Sequence, residues 1–280
     1  MLTNQSRKAK IIAIYNNKGG VGKTTFAVNF LHSITKEIAK EDGRTYKVLY
    51  VDNDGQANGS LILTGLTEDQ ISKKFENTIF NLMTDEDVKT KECIVKSKIE
   101  NIDLIPSTDD HNDTPDLISS AIDNTRILKE KLSEVILDYD YIVIDCAPTR
   151  DRNVFNALFA ADVVVTPMEA QLFSQVGLNN LLKQITRVNK RRETPLLHYV
   201  FLSKVDNRQK VHNIEVANKL EKLLFDDFIK NNISLLSLYS KSFESPNGTF
   251  TAIDYEDDRG KLEITNLTRN ILKKIANEAL

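Results

Sequence analysis

Cysteine is scarce in this sequence. Cys93 and Cys146 are the only two in 280 residues, far apart and without a CxxC partner. That speaks against a disulfide framework and against a thiolate zinc site, and it fits reduced thiols in a cytosolic protein. Long apolar runs are lacking too, since none approaches the roughly 18 residues that cross a bilayer. Met1 to Lys10 is polar and basic, which is not the pattern of a secretory signal peptide. Neither charge dominates: 37 Lys and Arg stand against 40 Asp and Glu, for a net charge of −3. The whole chain therefore has no broad attraction for nucleic acid, although a local basic patch stays open. No internal repeat and no low-complexity segment is visible. The composition is globular, 41% hydrophobic and 28% charged, in a chain long enough to bury a sizeable core.

What recurs along the chain is a short β-branched apolar run followed by a helical pattern. The runs are Ile11–Tyr15, Val48–Val51, Ile102–Ile105, Tyr141–Ile144, Val163–Val165 and Leu196–Leu202. Continuous apolar strands suit a parallel sheet buried on both faces. Helical stretches are expected over Lys23–Lys40, Asn124–Leu137, Ser174–Lys190, Val211–Phe228 and about Glu263–Ala279. The alternation predicts an α/β fold with a doubly wound, mostly parallel sheet. The polar stretch Ser60–Asp116 is the least regular, with short helical pieces and one strand. One domain is expected over residues 1–280, with a flexible start at residues 1–9.

The first run leads into Asn16-Asn17-Lys18-Gly19-Gly20-Val21-Gly22-Lys23-Thr24-Thr25, and a helix follows. A phosphate loop reads GxxxxGK[ST]. Gly22, Lys23 and Thr24 supply its second half, while Asn17 stands where its first glycine belongs. The physics of a phosphate cradle survives this change. Gly19, Gly20 and Gly22 allow a tight turn that aims several N–H groups inward. The helix starting near Gly22 adds the positive end of its dipole. Lys23 can reach the β- and γ-phosphates, and the Thr24 hydroxyl suits Mg²⁺.

Carboxylates at strand ends complete such a site. Asp145 closes the run Ile142-Val143-Ile144, the place for a metal-associated acid. Asp52 and Asp54 follow the second run, two residues apart. In an extended segment they share a face, so both are expected to look toward the loop. One would support the metal and the other would orient a water.

Together these residues resemble the deviant Walker ATPases of the ParA/MinD group, whose fold is that of P-loop NTPases. Lys18 to Thr25 matches that group's KGGxGK[ST][ST]. Asp52, Asp54 and Gln56 match its DxDxQ, and Ile144-Asp145-Cys146-Ala147-Pro148 resembles its third motif. Ala160-Ala161-Asp162, Pro167, Glu169 and Gly177-Leu178 resemble the stretch that follows, and Asp206 and Arg208 a later one. The resemblance covers about residues 10–210. It implies a Mg-dependent ATPase that binds ATP along Lys18–Thr25, including Val21 and Thr25. Lys18, Lys23 and Asp54 would act in catalysis, with Lys18 reaching the nucleotide of a partner subunit in an ATP-dependent homodimer. Thr24, Asp52 and Asp145 would serve the Mg²⁺. Pro167, Glu169, Asp206 and Asn207 would lie near the adenine.

Within the group, the chain is closest to ParA/Soj-type proteins of plasmid or chromosome partition. They bind DNA non-specifically and hydrolyse ATP when a ParB-like centromere-binding partner stimulates them. A cytoplasmic, nucleoid-associated protein is the corresponding expectation. Arg187, Arg191, Arg192 and Arg208, with Lys241, are the candidate DNA contacts. One departure is that Leu238 stands where the family carries a basic residue near this Lys241. The alternative is a membrane-associated spatial regulator resembling MinD, through the helix that carries Leu267, Ile271 and Ile275. Packing of that helix against the sheet explains its apolar face better. The CxxC of the group's iron–sulfur carriers and the tyrosine-rich tail of its kinases are absent. About ten residues precede the first strand, too few for a helix-turn-helix domain.

Overall fold

All six apolar runs pair into one sheet in the computed structural model, which describes residues 8–235, 251–254 and 258–278. The strands are β1 (Lys10–Ile14), β2 (Val48–Asn53), β3 (Val95–Lys96), β4 (Ile102–Ile105), β5 (Tyr141–Cys146), β6 (Val163–Glu169), β7 (Leu197–Ser203) and β8 (Phe228–Ile229). Their order is β3-β4-β2-β5-β1-β6-β7-β8. Every pairing is parallel except β3 with β4. The central strands are mostly apolar because both faces are covered, with polar residues such as Asp52 and Asp145 near their carboxyl ends. On β1, Ile12 and Ile14 pack into the core beneath the helix Lys23–Ser33, while Ile11, Ala13 and Tyr15 pack into the opposite core. The sheet is wound outward from β1, with β2 and β5 on one side and β6 to β8 on the other. Doubly wound sheets take ligands at the carboxyl ends of strands around such a reversal.

The helices differ from expectation where packing overrides local pattern. The helix expected over Lys23–Lys40 is α-helical over Lys23–Ser33, loosens into a π turn at Ile34–Ile38, and resumes over Ala39–Asp42. The one expected over Asn124–Leu137 shrinks to Ile127–Ser133. The one expected over Val211–Phe228 stops at Leu224, where Phe225 takes φ +50, and Phe228 joins β8 instead. An unanticipated helix, Arg152–Ala160, follows β5, capped by Asp151 Oδ1 accepting from Val154 N at 3.1 Å. The last helix, Asp258–Asn277, buries Ile264, Leu267, Ile271 and Ile275 in the core under the sheet. Its apolar face is thus covered by protein. Among the described residues no helix is long and apolar enough to cross a membrane.

Candidate functional site

The loop between β1 and the helix Lys23–Ser33 is held from beneath by Asn16. Its Nδ2 donates to Pro167 O on β6 at 2.9 Å, and its Oδ1 accepts from Lys18 N at 3.0 Å. Gly20 (φ +77) and Gly22 (φ +89) take the left-handed backbone that lets the chain turn back into the helix. Asn17, in the place of the usual first glycine, accepts from the guanidinium of Arg150 once its amide oxygen is turned toward it. Lys23 is buried to 7% exposure, and its Nζ donates to Lys18 O at 3.3 Å. Burial lowers the Lys23 pKa, opposed by the charges of Asp145 and Asp54. An ammonium held in this way favours an anionic partner. Lys18 itself is exposed at the outer edge of the loop.

A cleft of about 460 Å³ opens above the loop. Gly19, Gly20, Gly22, Lys23, Thr24 and Thr25 form one wall, and Asp54, Gln56, Asn58, Ile62, Pro148 and Lys204 complete it. Asp54 and Lys23 therefore face one space. Val21 is buried behind it. The turn carrying Asp54 is closed by its Oδ1 accepting from Gln56 N at 3.0 Å. At Gly55 the Asn112 side chain packs close, 2.3 Å from where a Cβ would lie, so a larger residue there would displace that side chain.

Asp52 does not share the cleft with Asp54. β2 ends at Asn53, so the two-residue period fails across the turn. Asp52 is fully buried, and its Oδ2 accepts from Ser60 N and Ser60 Oγ, both at 2.7 Å. Asp145 lies opposite it on β5. Asp145 is hydrogen-bonded by Thr24 and by Tyr50 Oη at 2.8 Å. Burial pushes Asp52 up to about 8, helped by the Asp145 charge. Burial pushes Asp145 up to about 6, against the Thr24 and Tyr50 hydrogen bonds and the Lys23 charge. One oxygen of each carboxyl, Oδ1, is buried without a hydrogen-bond partner. Two orphaned acceptors and a threonine hydroxyl form a hard-oxygen set that fits Mg²⁺ approached through a water shell. Among the described residues no cluster of three or more His, Cys, Asp or Glu is placed to hold a metal ion.

The structure separates the remaining expected residues. Pro167 is buried within β6 and Glu169 is half-buried at its end. The Asp206 carboxylate is engaged by Arg208, which donates through its backbone N at 3.0 Å and its guanidinium at 2.8–3.1 Å. Asn207 is exposed. None of these four lines the cleft. Among the basic candidates, Arg192 is corrected. Its guanidinium donates to the carbonyls of Leu158, Phe159, Ala161 and Thr194, so it caps the end of the helix Arg152–Ala160 and its donors are taken up by main chain. Arg187 and Arg191 are exposed and line a second cleft, of about 810 Å³, with Arg150, Arg152 and Lys190. Arg208 is exposed but clasped to Asp206. Lys241 and Leu238 lie outside the described residues. Sequence reasoning did not place Tyr50, Ser60 or Lys204 at the site. Gly59 was the available signal for Tyr50, since a Cβ there would lie 1.8 Å from the Tyr50 hydroxyl.

Comparison with known proteins bears on the family and the fold. A family model described as an AAA domain matches residues 9–198. The sporulation initiation inhibitor protein Soj of Bacillus subtilis is 34% identical over 225 residues, 80% of this chain and 83% of Soj. The chromosome partitioning protein ParA of Myxococcus xanthus is 30% identical, over 81% of this chain and 77% of that protein. A solved plasmid partition protein from Borrelia burgdorferi superposes with a TM-score of 0.67 at 26% identity, over 96% of this chain and 100% of that one. Cobyrinic acid a,c-diamide synthase from Mycobacterium smegmatis, solved with an ATP analogue and magnesium, gives 0.67 at 25% identity, over 76% and 82% of the two chains.

Proposed function

The chain belongs to the AAA-domain family that includes Soj and ParA, and from that premise we propose that it is a Mg-dependent ATPase of DNA segregation. The observation that carries this reading is the cleft itself, lined by both Lys23 and Asp54 beyond the carboxyl ends of β1 and β2. Lys23, constrained by Lys18 O, supplies a fixed positive charge to the β- and γ-phosphates of ATP. The loop amides between Gly19 and Thr25 supply aligned dipoles. Thr24, with Asp145 behind it and Asp52 alongside, holds the hydrated Mg²⁺. Held there, Mg²⁺ would supply charge withdrawal from the phosphate oxygens. Asp54 accepts a hydrogen bond from the attacking water and aims it, which is most of what phosphoryl transfer asks of a protein.

Lys18 stands exposed on the loop's outer edge, where it can serve a second subunit. A cation lent in trans makes dimerisation depend on the triphosphate. The dimer then binds DNA without reading sequence, through Arg187, Arg191 and Arg208. Arg192 is excluded by its helix-capping role. A ParB-like centromere-binding protein on the cargo, a plasmid or chromosome, stimulates turnover. The protein works in the cytoplasm on the nucleoid. The buried apolar face of the last helix weighs against the membrane-regulator alternative.

Light scattering after size exclusion, paired with salt-dependent DNA binding, tests this reading. With Mg-ATP, the expected result is a dimer that binds DNA more tightly than the ADP form. Lys18→Ala should retain ATP but remain monomeric. A monomer in both nucleotides, or equal DNA binding with each, would overturn the reading.

A further inference from the structure

The end of β7 is clipped onto the phosphate loop by two successive side chains. Ser203 Oγ donates to Val21 O at 2.8 Å, and Lys204 Nζ donates to Gly20 O. Lys204 makes this contact from a left-handed backbone, φ +51. That region disfavours any residue with a Cβ, and glycine would occupy it freely. Backbone strain retained beside a functional cleft is a recurring mark of a constrained functional residue. The lysine stem also runs along the loop, its Cε 3.9 Å from the position of a Cβ on Gly22. Lys204 therefore lines the same cleft as Lys23 and Asp54, although it follows β7, which β6 separates from β1.

A neutral carbonyl is a modest partner for an ammonium. A phosphate oxygen is a stronger one, because both members of the pair are charged. The first ammonium of the cleft, Lys23, is tethered within the loop. The second comes from β7 and bridges over the loop's outer turn. We propose that Lys204 is the residue by which this site distinguishes a nucleoside triphosphate from a diphosphate. Its ammonium exchanges Gly20 O for the terminal phosphate and so adds one charged contact that a diphosphate does not receive. This deepens the nucleotide-site reading given above and rests on it.

The neighbouring backbone gives the exchange somewhere to go. Val205 N donates to Ile233 O at 2.9 Å, and Val205 O accepts from Leu235 N at 2.9 Å. Between them, Ser234 is gripped by the Glu263 carboxylate, which accepts from its N at 2.8 Å and its Oγ at 2.7 Å. Val205 thus ties the backbone at Lys204 to residues 233–235 and, through Ser234 and Glu263, to the helix Asp258–Asn277.

Calorimetric titration of the full chain with Mg-ADP and with a non-hydrolysable Mg-ATP analogue tests the role without reference to turnover. The variants are Lys204→Met, Lys204→Arg and Lys204→Gly, the last suited to the left-handed backbone and so safe for folding. The wild type is expected to prefer the triphosphate. Lys204→Met and Lys204→Gly should lose about tenfold or more of that preference, the scale of one charge-assisted contact. ADP affinity should stay within about twofold, and Lys204→Arg should keep most of the preference. Equal weakening of both nucleotides would reduce Lys204 to a loop clip and overturn the proposal, as would an unchanged preference. A wild type that binds neither nucleotide would overturn the nucleotide site itself, and the role of Lys204 with it.

Discussion

A buried carboxyl oxygen without a partner is costly, and the described residues keep two, on Asp52 and Asp145, in register on adjacent strands. Their pKa values, about 8 and about 6, show how strongly the site resists two bare charges. A hydrated cation beside them offsets that cost, which is the physical reason for reading Thr24 and these acids as one set. Asp54 differs in being half-buried and in the cleft. Asp54→Ala should therefore leave Mg-ATP binding nearly intact and lower phosphate release by about 100-fold or more, the range for a lost general base or water-positioning group. A phosphate-release assay on the saturated protein checks it, and unchanged turnover would remove Asp54 from its role. The loop was legible because glycines, a lysine and a threonine at fixed spacing have few other uses. The separation of Asp52 from Asp54 was not, because it depends on where β2 ends. Lys204 was hidden because neither a left-handed turn nor a contact 184 residues away in sequence leaves a local pattern.

At the level of elements, Arg192 shows how a charge in sequence can be silent in structure. Four of its hydrogen bonds end on main-chain carbonyls, three of them at the close of the helix Arg152–Ala160. Such groups otherwise lack partners at a helix end. Arg192→Met should destabilise the protein by about 1–3 kcal/mol, the cost of leaving buried acceptors unmet. Arg191→Ser, at an exposed neighbour, should not. Urea unfolding of the two variants distinguishes them, and equal stability would contradict the capping role. That helix escaped the sequence reading, although Asp151 marks its start and Val154, Ala157 and Leu158 are spaced for one buried face. The opposite error occurred after Val211, where a helical pattern was extended to Phe228. There the ring is needed in the core beside β8, and tertiary packing ended the helix at Leu224.

For the whole molecule, the parallel sheet was the most legible feature, since strands covered on both faces read as near-continuous apolar runs. The two-residue strands β3 and β8 were not legible, because so short a run carries no period. The buried histidines set a pH response. His32, His111 and His198 are pushed down to about 4, about 3 and about 4, each mainly by burial. Their unfolded value is near 6.5. Between about pH 6.5 and 4 the unfolded chain takes up protons that the folded chain refuses, so these groups cost stability as pH falls. Asp52 and Asp145 act in the opposite direction, their contribution being lost as pH rises through about 8 and about 6. Comparing His198→Gln with the wild type at each pH cancels the carboxylates. The melting-temperature difference should move in favour of the variant from pH 7 to pH 5, and a constant difference would contradict this. The central claim is that the cleft above Gly19–Thr25 holds Mg-ATP, and its most direct test is calorimetric titration of Mg-ATP into the wild type and Lys23→Ala. The account predicts one site per chain in the wild type, weakened about 10- to 100-fold by the substitution, as expected for one lost charged hydrogen bond. Equal affinity in the two proteins would contradict it.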